Sequence, residues 1–165
     1  YSVPVAALPG GRGDGQPITA LIELESGTQP AHYLAAEASR RVVLAGTGGF
    51  GLVAEVGDLV ARQKGGKTFL ALEGEERPPP PALLPAGELA ALQLGCLSLQ
   101  GRLLVFPVDE LKHQPKGGRG LTLIDLEEKK DALLSVAAFT TQLTVAGTAL
   151  RGGKPREELL KGAAL

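Results

Sequence analysis

Gly51-Leu52-Val53-Ala54-Glu55-Val56-Gly57-Asp58-Leu59 and Gly101-Arg102-Leu103-Leu104-Val105-Phe106-Pro107-Val108-Asp109-Glu110-Leu111 are two versions of one stretch, and their likeness decides the fold. Each runs on into a basic glycine pair: Arg62-Gln63-Lys64-Gly65-Gly66-Lys67 in one, Lys112-His113-Gln114-Pro115-Lys116-Gly117-Gly118-Arg119 in the other. An apolar strand is expected after each pair, at Phe69–Leu72 and Leu121–Ile124. A partial earlier copy reads Tyr1 to Leu8, then Gly11-Arg12-Gly13-Asp14-Gly15, then Ile18 to Ile22. The second glycine of each loop falls at Gly15, Gly66 and Gly118, and the leucine before each loop at Leu8, Leu59 and Leu111. Both landmarks therefore step by 51 and then 52 residues.

A period near 50 residues, with short apolar runs between glycine-rich turns, is the pattern of propeller blades. The expected fold class is all-β: a propeller-like ring of blades, each about four strands of ~5–6 residues. Val42–Ala45 and Phe50–Val56 read as a hairpin around Gly46-Thr47-Gly48-Gly49. Leu94–Leu97 and Arg102–Phe106 are its counterpart around Ser98–Gly101. The repeat units are roughly 1–30, 31–82, 83–132 and 133–165 of a single domain. Rings use about 4–8 blades, so two near-whole copies imply a piece of a larger protein. Pro78–Pro81 reads as a stiff connector, and Pro155–Lys161 as the one helical stretch.

Of the 165 residues, 23 are Gly and 12 Pro, too many for a helical bundle. Aromatics at 4% argue against a base-stacking platform. With 17 basic and 18 acidic residues, net charge −1 excludes a uniformly basic coat. Cys96 is alone and reads as a small buried apolar residue. With His32 and His113 it makes no zinc quartet, and no metal site is expected. The uncharged run Ala132–Leu150 carries too many hydroxyls for a bilayer helix and suits strands. Tyr1-Ser2-Val3-Pro4 has no signal-peptide character, so a reducing cytoplasm is expected.

Ala61-Arg62-Gln63-Lys64-Gly65-Gly66-Lys67-Thr68 fits a relaxed phosphate-loop pattern, but such a loop needs a helix starting at the lysine. Phe69–Leu72 runs at once into Glu73-Gly74, too short for that helix, and Gly120 follows Arg119 in the other copy where a hydroxyl would be needed. Nucleotide hydrolysis is thereby set aside. Arg12-Gly13-Asp14 is a loop by chance, and Asp58 and Asp109 are expected to cap turns. No serine, cysteine and histidine arrangement suits covalent catalysis; no catalytic residue and no cofactor are expected.

The basic loops carry the functional expectation. Arg62, Lys64 and Lys67 match Lys112, Lys116 and Arg119, with Arg12 in the first copy and Arg151, Lys154, Arg156 and Lys161 in the last. Recurrence at one phase of a ring would align these cations along one rim, and the glycines beside them would let phosphates approach backbone N–H groups. Acidic residues follow the strands: Glu73, Glu75 and Glu76, then Asp125, Glu127 and Glu128. Six extended residues separate them from the loop cations, ~20 Å at ~3.3 Å each, beyond the ~8 Å screening length. A duplex held through phosphates, with little base specificity, is the expected partner.

Gly49-Phe50-Gly51-Leu52-Val53, Gly57-Asp58-Leu59-Val60-Ala61-Arg62, Gly65-Gly66-Lys67 and Leu104-Val105-Phe106-Pro107-Val108 closely resemble the C-terminal domain of ParC, the larger of the two subunits named here for bacterial topoisomerase IV only by their roles in DNA handling. Leu8 to Pro17 looks like the same family's opening loop. The resemblance implies a β-pinwheel with strand exchange between blades, whose basic outer rim binds and bends DNA and presents segments to the catalytic core for decatenation and supercoil relaxation. It further implies a heterotetramer with the ATPase subunit (ParE), a possible link to condensin, no membrane partner, and a place in the bacterial cytoplasm at the nucleoid. The catalytic tyrosine belongs to the family's N-terminal region, and neither Tyr1 nor Tyr33 matches its motif. Gln114-Pro115-Lys116-Gly117-Gly118-Arg119-Gly120 comes near the box with which the related DNA gyrase domain wraps DNA, but Pro115 replaces a cation. Gyrase-type wrapping and a protein-binding propeller stand as the alternatives.

Overall fold

A computed structural model describes residues 2–127, 130–148 and 153–161. Strand β1 (Arg41–Ala45) and β2 (Phe50–Glu55) form the first hairpin, in register Val43↔Val53. The turn closes through Gly49 N–H to Gly46 C=O, and Gly49 holds φ +87°, a conformation that favours glycine. On one edge β3 (Ala82–Leu83) pairs with β1. Strand β4 (Gln93–Ser98) and β5 (Leu103–Pro107) repeat the hairpin in register Gly95↔Val105.

Strand exchange is visible at the far edge of the first sheet. Strand β6 (Leu121–Thr122) belongs by sequence to the second repeat, yet it pairs with β2 of the first, Gly51↔Leu121, giving the order β3-β1-β2-β6. Strand β7 (Leu133–Phe139) flanks β4 as β3 flanks β1, and β8 (Gln142–Thr148) pairs with β9 (Pro155–Lys161) in a third hairpin. Val43, Val53, Leu84, Leu94, Val108 and Leu133 from both repeats share one core and are almost wholly buried. Each such side chain contributes ~1.5–3 kcal/mol by leaving water. Cys96 lies in that core, where burial pushes its thiol up to about 12, so it packs as an apolar residue. Residues 2–40 contribute nothing to this cluster.

Three expectations are corrected. The tail Pro155–Lys161 is a strand: seven residues pair with β8, and that ladder outweighs the helix propensity of Glu157, Glu158, Leu159 and Leu160. Pro155, which lacks an N–H, stands at the strand's first residue, where it is tolerated. Ile18–Ile22 is no strand, because no segment among the described residues pairs with it; Ile18–Ala20 closes a 3-10 turn instead. Phe69–Leu72 makes only one bridge among the described residues, Leu70 with Gly118.

Candidate nucleic-acid interface

The two basic loops leave the ends of β2 and β5 in the same way. Each strand passes into a single 3-10 turn, Val56–Leu59 or Val108–Glu110, and then into the cations. Asp58 caps the first turn as expected: its Oδ2 accepts the Glu55 N–H at 2.9 Å. The second turn has no matching cap from Asp109, because Pro107 stands where Glu55 does and has no N–H to donate. The Asp58 Oδ2 also accepts the His113 Nε2–H at 2.7 Å from the second loop. The His113 hydrogen bond, and then the Glu55 N–H, hold the Asp58 carboxyl below its ordinary range. The Lys67 ammonium donates to the Asp58 carbonyl and lies over the Phe69 ring, 5.3 Å from its centre. Asp58 is thus a joint at which both loops meet.

In the first loop Arg62, Lys64, Gly65, Gly66 and Lys67 are all exposed. No atom lies within 4 Å of where a Cβ on Gly65 or Gly66 would stand, so a ligand's oxygen can come up to this backbone. The second loop differs. Lys112 and Lys116 are exposed, but a side chain on Gly117 would collide with the Phe69 carbonyl, and one on Gly120 with that of Gly51. Gly118 N–H donates to Phe69 C=O at 2.8 Å, and Ala71 N–H returns the bond to Gly118 C=O at 2.9 Å. These glycines serve the contact between repeats, not the approach of a phosphate.

Arg119 is withdrawn from the outward-facing set. Its Nη2 donates to Glu76 Oε1 at 3.1 Å, its guanidinium stacks on Phe50 at 4.1 Å, and Glu73 Oε2 lies 2.9 Å from Nη1. The Glu73 contact lies off the N–H axis, leaving Nη1 without a directed hydrogen bond. The expected ~20 Å gap between loop cations and acidic edge holds along one repeat but not across the exchange, which lays Arg119 of one copy on Glu73 and Glu76 of the other. Glu76 and Phe50 escape a reading of the sequence for that reason, and His113 draws notice there only as a metal candidate. The signal available is the acidic run standing in step with the basic glycine pair of the following copy.

The other cations lie apart. Arg12 is exposed in the segment before β1. Repeat phase makes β9 the counterpart of β2 and β5, so Arg156 and Lys161 sit on a hairpin strand and Lys154 just before it, not in a third basic loop. Arg156 pairs with Glu158 at 3.7 Å. Arg151 lies outside the described residues.

Repeated four-to-three-stranded sheets, joined by a strand lent from one repeat to the sheet of its predecessor, define a β-pinwheel domain. No protein-family model matches the chain. It is 32% identical over 161 residues, 96% of its length, to the A subunit of DNA topoisomerase 4 from Neisseria gonorrhoeae, of which it spans 21%. Its fold is similar to the solved structure of the E. coli ParC C-terminal domain at TM-score 0.82 and 26% identity, covering 96% of this chain and 63% of that one. A DNA gyrase A C-terminal domain shares the fold at TM-score 0.59 and 18% identity, covering 79% and 44%. The chain belongs to the family of ParC C-terminal domains of topoisomerase IV. It spans about a fifth of the length of the curated relative.

Proposed function

We propose that this domain is a non-catalytic duplex-DNA-binding module, acting without a cofactor of its own, that grips phosphates with the loops Arg62–Lys67 and Lys112–Lys116. The observation that carries this reading is the joint at Asp58, where two loops of exposed cations meet beside open glycine backbone. Phosphate contacts of this kind position a duplex without reading its sequence. Two loops on successive repeats favour a curved path, in which the cost of bending is offset by added contacts. Arg12, Lys154, Arg156 and Lys161, and Arg151 outside the described residues, extend the basic surface in this reading; Arg119 does not. Family membership supports the wider role: presenting DNA segments to a topoisomerase core for decatenation and supercoil relaxation, in a bacterial cytoplasm at the nucleoid, beside the ATPase subunit (ParE) and in contact with condensin. Occupation of Arg119 by Glu76 disfavours gyrase-type wrapping, whose box would need that cation free.

The test is duplex affinity against salt. Each neutralised phosphate contributes ~0.9 to the slope of log K on log salt. Lys64→Ala with Lys116→Ala is expected to weaken binding several-fold and to lower the slope by about 2. Unchanged affinity and slope in the double variant would refute the assignment, and a partner bound with no salt dependence would favour the protein-binding alternative.

A further inference from the structure

We propose that Glu76 is a positioning residue of the basic loop Lys112–Arg119: through Arg119 it fixes the loop of one repeat on the preceding repeat and so holds Lys112 and Lys116 outward. The inference rests on the duplex-binding reading of that loop. It assigns an acidic residue, which bulk electrostatics would count against DNA binding, a role in favour of it.

Three observations separate Glu76 from an ordinary surface acid. First, its side chain is 15% exposed, against 72% for Glu73, although both stand against Arg119. Second, both of its oxygens are engaged: Oε1 accepts Arg119 Nη2 at 3.1 Å, and Oε2 accepts the Glu73 N–H at 3.1 Å. Third, the hairpin turn makes room for it, since a Cβ on Gly48 would collide with the Glu76 carboxylate. Glu76 is therefore held by its own backbone neighbourhood before Arg119 arrives. A preorganised carboxylate facing a guanidinium already stacked on Phe50 fixes the arginine in position and direction.

The rest of the loop is short enough to feel this. Lys116 is three residues from Arg119, and the intervening Gly117 and Gly118 carry no side chains to stiffen the path. Backbone bonds from Gly118 to Phe69 and Ala71 hold the loop between them. Without the ion pair, two glycines and an unpaired cation would widen the range of positions open to Lys116, and ordering it on a phosphate would cost more. Arg119 itself is a poor phosphate ligand. It faces a hollow of about 480 Å³ lined also by Glu73, Asp125 and Asp131, which repels an anion.

The sign of one substitution decides the matter. Glu76→Ala removes a negative charge near the proposed DNA path, and electrostatics alone would tighten duplex binding. Positioning predicts weakening by about three- to tenfold, the range of coupling within one ion-pair network. Glu75, exposed and one residue away, is the control: Glu75→Ala should leave affinity unchanged or raise it slightly. Glu76→Gln keeps the acceptors and loses the charge, so it should fall between wild type and Glu76→Ala. The Glu76→Ala effect should shrink when Lys116 is already alanine, and amide exchange at Gly118 and Ala71 should quicken without any DNA present. Equal or tighter binding by Glu76→Ala, or unchanged exchange at those amides, overturns the proposal. Should Glu76→Ala fail to fold, Glu76→Gln carries the same two measurements. If Lys116→Ala binds as wild type while exchange still quickens, the duplex-binding reading has failed and the clamp remains only as an element of the fold.

Discussion

The loops Arg62–Lys67 and Lys112–Arg119 share one motif and one phase of the repeat, yet they live in opposite surroundings. In the first, Gly65 and Gly66 face open space, and among the described residues the cations meet no carboxylate. In the second, Gly117 and Gly120 press against backbone of the preceding repeat, and the terminal cation is held by two acids and an aromatic ring. The difference comes from the neighbour. The second loop leads into β6, which the preceding sheet accepts, whereas the residues after the first loop make a single bridge. Lys67 and Arg119 occupy matching positions, but only a planar guanidinium can face two carboxylates while stacking on a ring. One motif thus serves two ends: glycine permits ligand approach where the loop is open and backbone contact where it is closed.

Substitution of the glycines breaks this comparison most directly. Gly120→Val should cost the most: its φ of +83° strains any side chain, and the new Cβ would collide with the Gly51 carbonyl. About 1–2 kcal/mol for left-handed backbone and about 1–3 kcal/mol for overpacking together predict a loss of about 3 kcal/mol or more. A urea midpoint with unchanged slope would report it. Gly66→Ala should cost only about 1 kcal/mol, since φ +74° is strained but nothing stands near the Cβ. Equal costs at the two positions would mean that the loops are not differently seated.

The hairpins are legible in the sequence because their information is local. Alternating apolar residues on either side of Gly46–Gly49 or Leu99–Gly101 specify two strands and a turn without reference to anything else. The ring-like repetition is legible from two landmarks that keep step. The exchange cannot be read in this way, because Gly51 pairs with Leu121 across 70 residues and no periodicity inside either segment names the other. From that omission follows the misplaced acidic edge: Glu73 and Glu76 are set against their own loop, not the one lent by the next copy. The tail misleads for a different cause. Its Glu-Glu-Leu-Leu-Lys composition favours a helix locally, and the repeat phase that makes it a second hairpin strand is the better guide. Residue type and phase pick out the candidate cations, but only pairing shows which ones are already engaged.

The smallest effect concerns the joint between the loops, and it is read by pH. Asp58 has its carboxyl held below the ordinary value of 3.8 chiefly by the His113 hydrogen bond. A depressed carboxylate contributes stability that is fully present above its unfolded value and is lost as pH falls through the folded one. The contribution should therefore be complete above about pH 5 and fade below about pH 4. Asp58→Asn removes the titrating group and should flatten this part of the stability curve, with little change in the slope between about pH 6 and pH 7 from the carboxyl itself. His113→Gln leaves Asp58 its Glu55 N–H but takes away the larger cause of the shift, so the acid transition should move upward toward the ordinary value. The measurement is a set of denaturation midpoints from about pH 3 to pH 7 for the three proteins. Because Asp58 and His113 stand on different repeats, an acid transition in His113→Gln identical to that of wild type would mean that the carboxyl is governed by its own turn alone. The two loops would then meet at Asp58 without being coupled through it.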